Sequence, residues 1–388
     1  MRVLFTTTPG WGHIHPMVPL ARAFVDRGDE VAWAATAGVA PRLEREGFTV
    51  HPAGQSSETS FGEAMRRFPE IQDLPPAERP NAFFPQFFGA VLAPAMVADL
   101  LPVARAFEPE VLVCDQAELG GPIAAALLGV PNVTHSFGGL IPAVRMAGAA
   151  RAVAPIWEAH GLDPRPYAGT YDHLYLDIYP PSMQAADVSH VPFSQHLRPE
   201  TFVTGEEVPL PPLVTESTPA PLVYVTFGTA FNSNPELVST VLAGVRDLPV
   251  RVVLTVGPSV DPDAVGPQPA NVHVARYIPQ TQLLPYCQAV VSHAGSGTLL
   301  AALARGLPQL CLPQGADQFA NADACVAAAA GRALHPGTVT VESVRAEMEL
   351  VLADAAYRAA AERIAAEILA MPSPAEVADV MATRFGGD

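Results

Sequence analysis

Short apolar runs alternate with amphipathic stretches along this chain from its first residues. Residues 3–7 form an apolar run that predicts a buried strand, and residues 16–27, with proline in the first turn and Gly28 after the end, predict a helix. The same alternation continues to residue 136 and begins again at residue 222. It predicts further strands at 30–35, 48–51, 111–114, 132–136, 222–226, 251–256, 289–292 and 309–312, and further helices at 39–46, 121–128, 235–248, 297–305 and 318–329. Such βαβ repeats imply α/β domains with parallel sheets covered by helices on both faces.

Two domains are expected, because 388 residues exceed what one hydrophobic core usually serves. Residues 205–221, GEEVPLPPLVTESTPAP, carry five prolines, which remove backbone donors and stiffen the chain, and therefore suit a linker. We predict an N-terminal domain at 1–206, a proline-rich linker at 207–221 and a C-terminal domain at 222–369, with a last helix at about 370–388 that packs back on the N-terminal domain. Each domain would be a doubly wound, Rossmann-like parallel sheet, and ligands bind such sheets outside the carboxyl ends of the strands, here in a central cleft that both domains face.

The composition excludes several classes of partner. With 22 basic against 39 acidic residues the formal net charge is −17, and a surface that acidic repels nucleic acid and anionic lipid. The four cysteines form no CxxC pair and lie in apolar surroundings, which favours buried free thiols in a reducing compartment over disulfides. The N-terminus, MRVLFTTT, lacks the features of a signal peptide, and no apolar stretch reaches the roughly 20 residues that span a bilayer. We therefore expect a cytoplasmic protein without a membrane or nucleic-acid partner.

The stretch after the first predicted strand, TTTPGWGHIHP, places two glycines and two histidines in one bend. It is not a dinucleotide fingerprint, because His15 stands where the third glycine is required and the second strand ends in AWAATAG without an acidic residue. A metal pair at His13 and His15 would lack a third ligand at a recognisable spacing. The remaining interpretation of His13 is a general base, since imidazole can accept a proton at neutral pH.

A carboxylate that could orient such a base follows another strand. Asp115 lies at the carboxyl end of the strand at 111–114, and the ends of parallel strands meet at one edge of a sheet, so Asp115 and His13 can be neighbours. In the alternative, Asp115 caps the next helix and His13 is an ordinary loop residue. These residues alone leave both interpretations open.

The second half carries a different constellation in VVSHAGSGTLLAALARGLPQLCLPQGADQFANA, residues 290–322. A strand runs into His293 and a glycine-rich turn, and a helix follows, so the unpaired amides and positive dipole end of that helix form an anion-binding cradle. The sequence G-K-[ST] of a nucleoside-triphosphate loop is absent, and so is the G-x-S-x-G elbow that a hydrolase built on Ser296, His293 and Asp317 would need. Asp317 and Gln318, at the start of the next helix, could bind vicinal hydroxyls or serve as a plain helix cap.

Other parts of the second half could complete a nucleotide site. The strand and turn VTFGT end at Thr229 and could donate further amides to the same anion. In ARYIPQTQLL, Tyr277 offers a flat ring for stacking on a base, and the Ile278 backbone could hydrogen-bond the edge of that base. A core tyrosine followed by a turn is the alternative.

These residues together resemble the family 1 glycosyltransferases, which have the GT-B architecture. The match rests on G-H-x-x-P near the N-terminus and on a long signature in the second domain, and it extends over the whole chain in motif order. The residues that carry it are Gly12, His13, Pro16, His293, Gly295, Pro308, Pro313, Asp317, Gln318 and Asn321. Within the family the chain looks like the compact bacterial enzymes that decorate natural products.

The resemblance implies an inverting O-glycosyltransferase, in which His13 deprotonates an acceptor hydroxyl and Asp115 is its partner. It implies no metal and no cofactor beyond the co-substrate, a dTDP- or UDP-linked sugar of the deoxysugar type. The residues implied to bind this nucleotide-sugar donor are Thr229, Tyr277, Ile278, Gln280, His293, Gly295, Ser296, Gly297, Thr298, Asp317 and Gln318. His15 matches a position with no catalytic role.

The acceptor implied is an apolar aglycone, such as a polyketide, macrolide, enediyne or aromatic natural product. Residues 55–106 look less regular than the rest and are rich in phenylalanine. Some of these rings could line the acceptor site, although packing between helices is their ordinary role. The candidates for acceptor contact are Trp11, Phe61, Phe84, Phe88 and Phe137.

Two alternatives stay open. A nucleotide-sugar 2-epimerase shares this architecture, but it uses carboxylates at the sugar and needs no acceptor. A catalytically silent helper protein could keep the fold without the reaction, although the presence of both His13 and Asp115 argues against it. The expected assembly is a monomer or a homodimer.

Overall fold

The structure, a computed structural model, describes residues 1–75, 78–184, 187–202, 208–228, 234–257 and 260–387. Its strands form two sheets, in which neighbouring strands run parallel. The strands of the first sheet are β1 Arg2–Thr6, β2 Glu30–Ala35, β3 Thr49–Pro52, β4 Val111–Asp115, β5 Asn132–His135, β6 Leu174–Asp177 and β7 Ser194–His196. Those of the second sheet are β8 Leu222–Thr226, β9 Arg251–Thr255, β10 Val272–Ala275, β11 Ala289–Ser292, β12 Gln309–Cys311 and β13 Gly331–Ala333.

Both sheets are doubly wound. The spatial order is β3-β2-β1-β4-β5-β6-β7 in the first and β10-β9-β8-β11-β12-β13 in the second, so the winding reverses between β1 and β4 and between β8 and β11. A crevice forms outside the carboxyl ends of the strands at such a reversal, and ligands bind there. The prediction of two parallel-sheet α/β domains is confirmed, and the segments after β1, β4, β8 and β11 are where functional residues are expected.

Buried side chains cover both faces of the second sheet. Val223 and Val225 belong to one hydrophobic cluster, whereas Leu222 and Tyr224 of the same strand belong to another. All four cysteines of the chain are buried free thiols, as the sequence predicts. The helices are α1 Trp11–Ile14, α2 Val18–Asp26, α3 Ala40–Arg45, α4 Ser57–Arg67, α5 Arg79–Phe84, α6 Ala93–Phe107, α7 Gly121–Leu128, α8 Ala143–Ala159, α9 Pro212–Thr215, α10 Pro235–Arg246, α11 Gln280–Leu283, α12 Ser296–Leu303, α13 Gln318–Ala327, α14 Val341–Ala353, α15 Ala355–Ala370 and α16 Pro374–Phe385.

The contacts divide the chain into two compact units. Unit 1 comprises Met1–Ile178, Ala186–Arg198 and Met371–Asp388, and unit 2 comprises Tyr179–Ala185 and Pro199–Ala370. The last helix, α16, therefore belongs to unit 1, where it packs on α2 and pairs Asp379 with Arg27.

The predicted linker is packed on unit 2 and is not a free connection. Its predicted start at 207 lies outside the described residues, but 208–221 include α9 and belong to unit 2. Arg251 of β9 donates to the carbonyls of Leu213 (2.7 Å) and Ala220 (3.0 Å). A proline-rich segment leaves carbonyl groups without backbone partners, and here one guanidinium satisfies several of them.

Residues 55–106, which look less regular than the rest in the sequence, are largely helical. They form α4, α5, a π-helical segment Pro85–Leu92 and most of α6, which tolerates Pro102 in its interior. By length and composition alone the run Arg79–Phe107 is apolar enough to cross a membrane, which corrects the expectation that no stretch reaches this length. Half of its apolar window is buried inside the protein.

Candidate active site

The loop after β1 is folded differently from the predicted bend. Gly10 turns the chain with a φ of 134°, a region open to glycine, and α1 begins directly after it. The N–H of His13 donates to the Gly10 carbonyl (3.1 Å), so His13 lies within the first helical turn. The predicted helix start at residue 16 is therefore too late, because α1 and a 3-10 turn, His15–Met17, lead directly into α2.

Asp115, at the end of β4, is buried and faces His13. Nδ1 of His13 lies 3.1 Å from Oδ1 of Asp115, and this oxygen also accepts from the N–H of Ala117 (2.8 Å). The other carboxylate oxygen accepts from the N–H of Thr8 (2.7 Å) and from the hydroxyls of Thr7 (3.0 Å) and Thr8 (3.1 Å). Burial alone would raise the pKa of Asp115, but the contact with His13 and the two backbone donors outweigh it and lower that pKa. Asp115 is therefore an ionised carboxylate at neutral pH.

The ionised carboxylate sets the tautomer of His13. A carboxylate can only accept, so the neutral imidazole keeps its proton on Nδ1 and carries its lone pair on Nε2. The His13 side chain is partly exposed whereas that of Asp115 is not. His13 can therefore accept a proton at Nε2, and Asp115 can stabilise the resulting imidazolium through Nδ1.

The start of α7 is capped by Glu118, a residue not singled out from the sequence. Its carboxylate accepts from the N–H groups of Gly120 (2.7 Å) and Gly121 (2.8 Å) and from the hydroxyl of Thr6 (3.0 Å). The alternative in which Asp115 caps this helix is therefore wrong. The only sequence signal was an acidic residue two positions before the glycines that open the helix, and it did not reveal that the side chain is buried.

Two of the five predicted acceptor residues lie beside the His13 ring. The ring centroid of Phe137 is 4.4 Å from that of His13, in an edge-on arrangement, and the centroid of Phe88 is 5.9 Å away. The base is thus flanked by apolar rings, which suits a hydroxyl carried on an apolar molecule.

The other three predicted acceptor residues have different neighbours. Trp11 stacks on His15 (5.2 Å between centroids) and lies beneath the guanidinium of Arg42 (4.7 Å). Phe84 is only 8% exposed in the core of unit 1, and Phe61, 53% exposed, packs on phenylalanines of α5 and the π-helical segment. Helix packing, the alternative considered for the phenylalanines, describes Phe61 and Phe84.

His15 does not form a metal pair with His13. Burial, and after it the charge of Arg42, lower the pKa of His15 to about 3, so its ring is neutral and stacked on Trp11. Within the described ranges, no group of three or more His, Cys, Asp or Glu side chains could hold a metal ion.

In unit 2, His293 follows β11 and lies between two glycines. A Cβ added to Gly228 would lie 2.7 Å from Cε1 of His293, and one added to Gly295 would lie 2.5 Å from its Nε2. Burial lowers the pKa of His293, against the opposing effect of Asp317, so the ring is neutral at pH 7. Thr229, predicted to lie near the donor diphosphate, falls outside the described residues.

Replacing Gly295 by alanine is expected to weaken the binding of a nucleoside diphosphate about tenfold or more, because the new Cβ displaces His293 from this slot. Gly38 provides a control outside the proposed nucleotide site, since a Cβ there meets nothing within 4 Å. Calorimetric titration of both variants with thymidine diphosphate measures the difference. Equal affinities for Gly295→Ala and Gly38→Ala would contradict a role for His293 in binding.

A hydrogen-bond network joins Ser296, Asp317 and Asn321 at the start of α12. Oδ2 of Asp317 accepts from the Ser296 hydroxyl (2.6 Å) and from Nδ2 of Asn321 (2.9 Å), which also lies 3.0 Å from the Ala294 carbonyl. The hydroxyl of Tyr179 donates to Oδ1 of Asn321 (3.2 Å). Ala294 has a φ of 62°, which alanine rarely adopts. Asn321 therefore stabilises a strained turn, and this turn leads directly into α12. The sequence marked Asn321 as part of a motif but gave it no role.

The two glutamines predicted at this site have different surroundings. Oε1 of Gln318 accepts from the N–H groups of Gln314 (2.7 Å) and Gly315 (3.1 Å), so this buried amide is folded onto its own loop. Nε2 of Gln280 donates to the hydroxyl of Thr298 (3.0 Å) in the first turn of α12. Asp317 stands at the N-cap position of α13 without a side-chain cap bond, so the plain-cap alternative is wrong for it.

Two further residues that are predicted to bind the nucleotide-sugar donor differ in the exposure of their side chains. The ring of Tyr277 is 52% exposed and can offer a face to a ligand. The side chain of Ile278 is buried in the core of unit 2, which leaves its backbone as the group that could contact a base.

The whole chain, including the residues around His13 in unit 1 and around His293 in unit 2, is similar to known proteins. Residues 239–383 match the family described as "Erythromycin biosynthesis protein CIII-like, C-terminal domain". The whole chain is 33% identical to the elloramycin glycosyltransferase ElmGT of Streptomyces olivaceus, covering 100% of this chain and 98% of that protein. It is 32% identical to the L-demethylnoviosyl transferase of Streptomyces niveus, covering 99% and 98%. Among solved structures, the spinosyn rhamnosyltransferase SpnG complexed with thymidine diphosphate matches with a TM-score of 0.81 and 28% identity, over 98% of this chain and all of that one.

Proposed function

The chain belongs to the GT-B glycosyltransferases of bacterial natural-product biosynthesis, and on that premise we propose that it transfers a deoxysugar from a thymidine diphosphate donor to a hydroxyl of an apolar aglycone. The transfer inverts the anomeric configuration, with His13 as the base, and requires no metal. The observation that carries this proposal is the pair formed by His13 and buried Asp115 beside Phe88 and Phe137. A glycosyltransferase is what the sequence predicted, and the family assignment leaves the epimerase alternative without support.

The choice of donor rests on the relatives and on the polar groups of unit 2. SpnG is a rhamnosyltransferase, and rhamnose is a deoxysugar; its structure was solved with thymidine diphosphate. In this chain, Oδ2 of Asp317 is engaged by Ser296 and Asn321, and Oε1 of Gln318 by its own loop. Fewer acceptors are then left for sugar hydroxyls, which favours a sugar that carries fewer of them.

On the acceptor side the proposed chemistry is proton removal. The acceptor hydroxyl gives its proton to Nε2 of His13 while its oxygen forms the bond to the anomeric carbon. Asp115 stabilises the positive charge that develops on the imidazole. Phe88 and Phe137 exclude water around that proton. The exclusion of water strengthens the electrostatic attraction between the imidazolium and the carboxylate of Asp115.

On the donor side the leaving group is the nucleoside diphosphate, which gains negative charge as its bond to the sugar breaks. The N-terminal turn of α12 supplies unpaired N–H groups at Ser296, Gly297 and Thr298, and the helix dipole adds positive potential there. His293 adds a neutral ring donor. Hydrogen-bond donors that are fixed in advance need no reorganisation, and losing one typically raises the activation barrier of transfer by about 3 kcal/mol. This turn can therefore take the place of a divalent cation.

Transfer from a dTDP-deoxysugar to a polyketide aglycone is expected to continue undiminished in EDTA and to give a product of inverted anomeric configuration. The reason is that the charge on the departing diphosphate is met by backbone N–H groups instead of a metal. Chromatography of the product and its anomeric coupling constant by NMR provide the measurement. The matched UDP-sugar serves as the comparison donor.

Loss of turnover in EDTA, with recovery on adding Mg²⁺, would contradict metal independence. Epimerisation of the donor without acceptor would instead favour the 2-epimerase. Donor binding without transfer across an aglycone panel would favour the silent helper protein.

A further inference from the structure

Two buried carboxylates hold the three consecutive threonines that lead to the base. Thr6, the last residue of β1, donates its hydroxyl to Glu118 (3.0 Å), and the hydroxyls of Thr7 and Thr8 donate to Asp115. Residues 6–8 connect β1 to the turn at Gly10, and His13 follows within that turn. The position of the imidazole therefore depends on both carboxylates, although only Asp115 contacts it.

Glu118 lies in a tightly packed turn. Its N–H donates to the carbonyl of Asp115 (2.9 Å), which closes the turn 115–118, and its side chain is only 2% exposed. A Cβ added to Gly121 would lie 2.2 Å from Sγ of Cys114 and 2.6 Å from Oε2 of Glu118, so both groups pack directly against this glycine. The two carboxylates are thus fixed near each other on one short segment.

We propose that Glu118 is a second carboxylate of the transferase base: it positions Asp115 and residues 6–8, and its negative charge, when present, makes the pair of His13 and Asp115 a stronger proton acceptor. The inference rests on the proposed function of His13. Glu118 does not touch substrate in this scheme and acts through Asp115.

The surroundings of Glu118 allow that charge to appear in the working pH range. Burial first, and then the neighbouring charge of Asp115, raise the pKa of Glu118 to about 7, against the effect of its hydrogen-bond donors. Two elements pack on it without adding charge, since β1 contributes Thr6 and α6 contributes Met96. The other titratable neighbour on β4 is Cys114, whose pKa is raised well above its usual value, so it stays a neutral thiol.

The sign of the effect follows from these groups. Below neutral pH, Glu118 is protonated and the base works with one carboxylate. As the pH rises, Glu118 loses its proton, and a second negative charge favours the imidazolium that forms during transfer. The increase in transfer rate that Glu118 provides should therefore grow with pH.

The test is Glu118→Gln, which keeps the shape of the side chain and fixes it in an uncharged state. The ratio of wild-type to variant kcat/KM is expected to rise about three- to tenfold between about pH 5.5 and pH 8.5. A ratio that is above one but constant with pH would assign Glu118 a merely structural role, and a ratio near one throughout would assign it none. Either result overturns the proposal.

Glu110→Gln is the matched control. Glu110 precedes β4 as Glu118 follows it, accepts from the N–H groups of Arg2 (2.6 Å) and Gly387 (3.1 Å), and lies at the opposite end of the strand. These donors lower the pKa of Glu110, so its charge is constant over the same range. The ratio of wild-type to Glu110→Gln kcat/KM should therefore not change with pH.

Thr6→Val keeps the proposal testable if Glu118→Gln does not fold, as judged by its thermal unfolding and its stabilisation by thymidine diphosphate. Losing the hydroxyl donor raises the pKa of Glu118 further, so full activity should be reached at a higher pH than in the wild type. An unshifted profile would overturn the proposal. Normal transfer by a His13→Ala variant would instead refute the proposed function, so the two failures are distinguishable.

Discussion

A His13→Ala variant is expected to lose transfer by about 10²- to 10⁴-fold while it keeps its affinity for thymidine diphosphate. Without the imidazole, no group at this position can take the acceptor proton, and Asp115 cannot replace it because its carboxylate is buried and engaged by Thr7, Thr8 and Ala117. The proposed nucleotide site lies in unit 2, so nucleotide affinity should not change. Single-turnover rates at saturating acceptor measure the loss, and calorimetry measures the affinity.

His15→Ala is the matched control for that experiment. His15 lies two residues further on, but its neutral ring stacks on Trp11, whereas His13 is the histidine whose Nδ1 lies 3.1 Å from Asp115. Its removal should lower stability slightly through lost packing and leave transfer within a few-fold of the wild type. Near-normal turnover of His13→Ala would remove this histidine from the mechanism.

The fold could be predicted where apolar runs are bounded by strong start and stop signals. The strands Glu30–Ala35, Leu222–Thr226 and Ala289–Ser292 and the helix Gly121–Leu128 have the predicted bounds. Helix α8 and the helices within 55–106 were not predicted, because interior prolines such as Pro102 and Pro155 are usually helix breakers. The strand β13 is only three residues long, too short for a periodicity to identify it.

The candidate site was predictable only as far as strand topology fixes it. His13 follows β1 and Asp115 ends the neighbouring parallel strand β4, so strand topology allows them to meet, and the family resemblance implied the pair. Which way a ring points is decided by packing, so the sequence could not separate Phe88 and Phe137 from Trp11, Phe61 and Phe84 as neighbours of the base. Burial was equally hidden, which is why Glu118 was missed.

An Asp115→Asn variant is the second expected large effect, with transfer reduced about 10³-fold. Oδ2 of Asp115 accepts from the N–H of Thr8 and from two hydroxyls, whereas Oδ1 accepts from Ala117 and His13. An asparagine keeps its oxygen on the side with more donors, so its NH₂ group faces His13. The imidazole must then accept at Nδ1 and carry its proton on Nε2, which is the tautomer that cannot act as a base.

The same substitution should destabilise unit 1 in a pH-dependent way. The NH₂ group also faces the N–H of Ala117, and a lost charge-assisted bond of this kind costs about 1.5–3 kcal/mol of unfolding free energy. Because the folded-state pKa of Asp115 is lowered, its contribution to stability is fully present above the unfolded value of about 3.9 and is lost as the pH falls through the folded pKa. Urea unfolding at several pH values should therefore show the largest gap between wild type and variant above pH 4.

A double variant separates catalytic coupling from general damage. If Asp115 acts through His13, then His13→Ala combined with Asp115→Asn should transfer no more slowly than His13→Ala alone, since the base whose tautomer Asp115 controls is already gone. Asp99→Asn is the matched control, because Asp99 is exposed and accepts only from the N–H of Gly54 among its described hydrogen bonds. Multiplicative losses in the double variant would mean that Asp115 supports transfer by a route that does not pass through the imidazole.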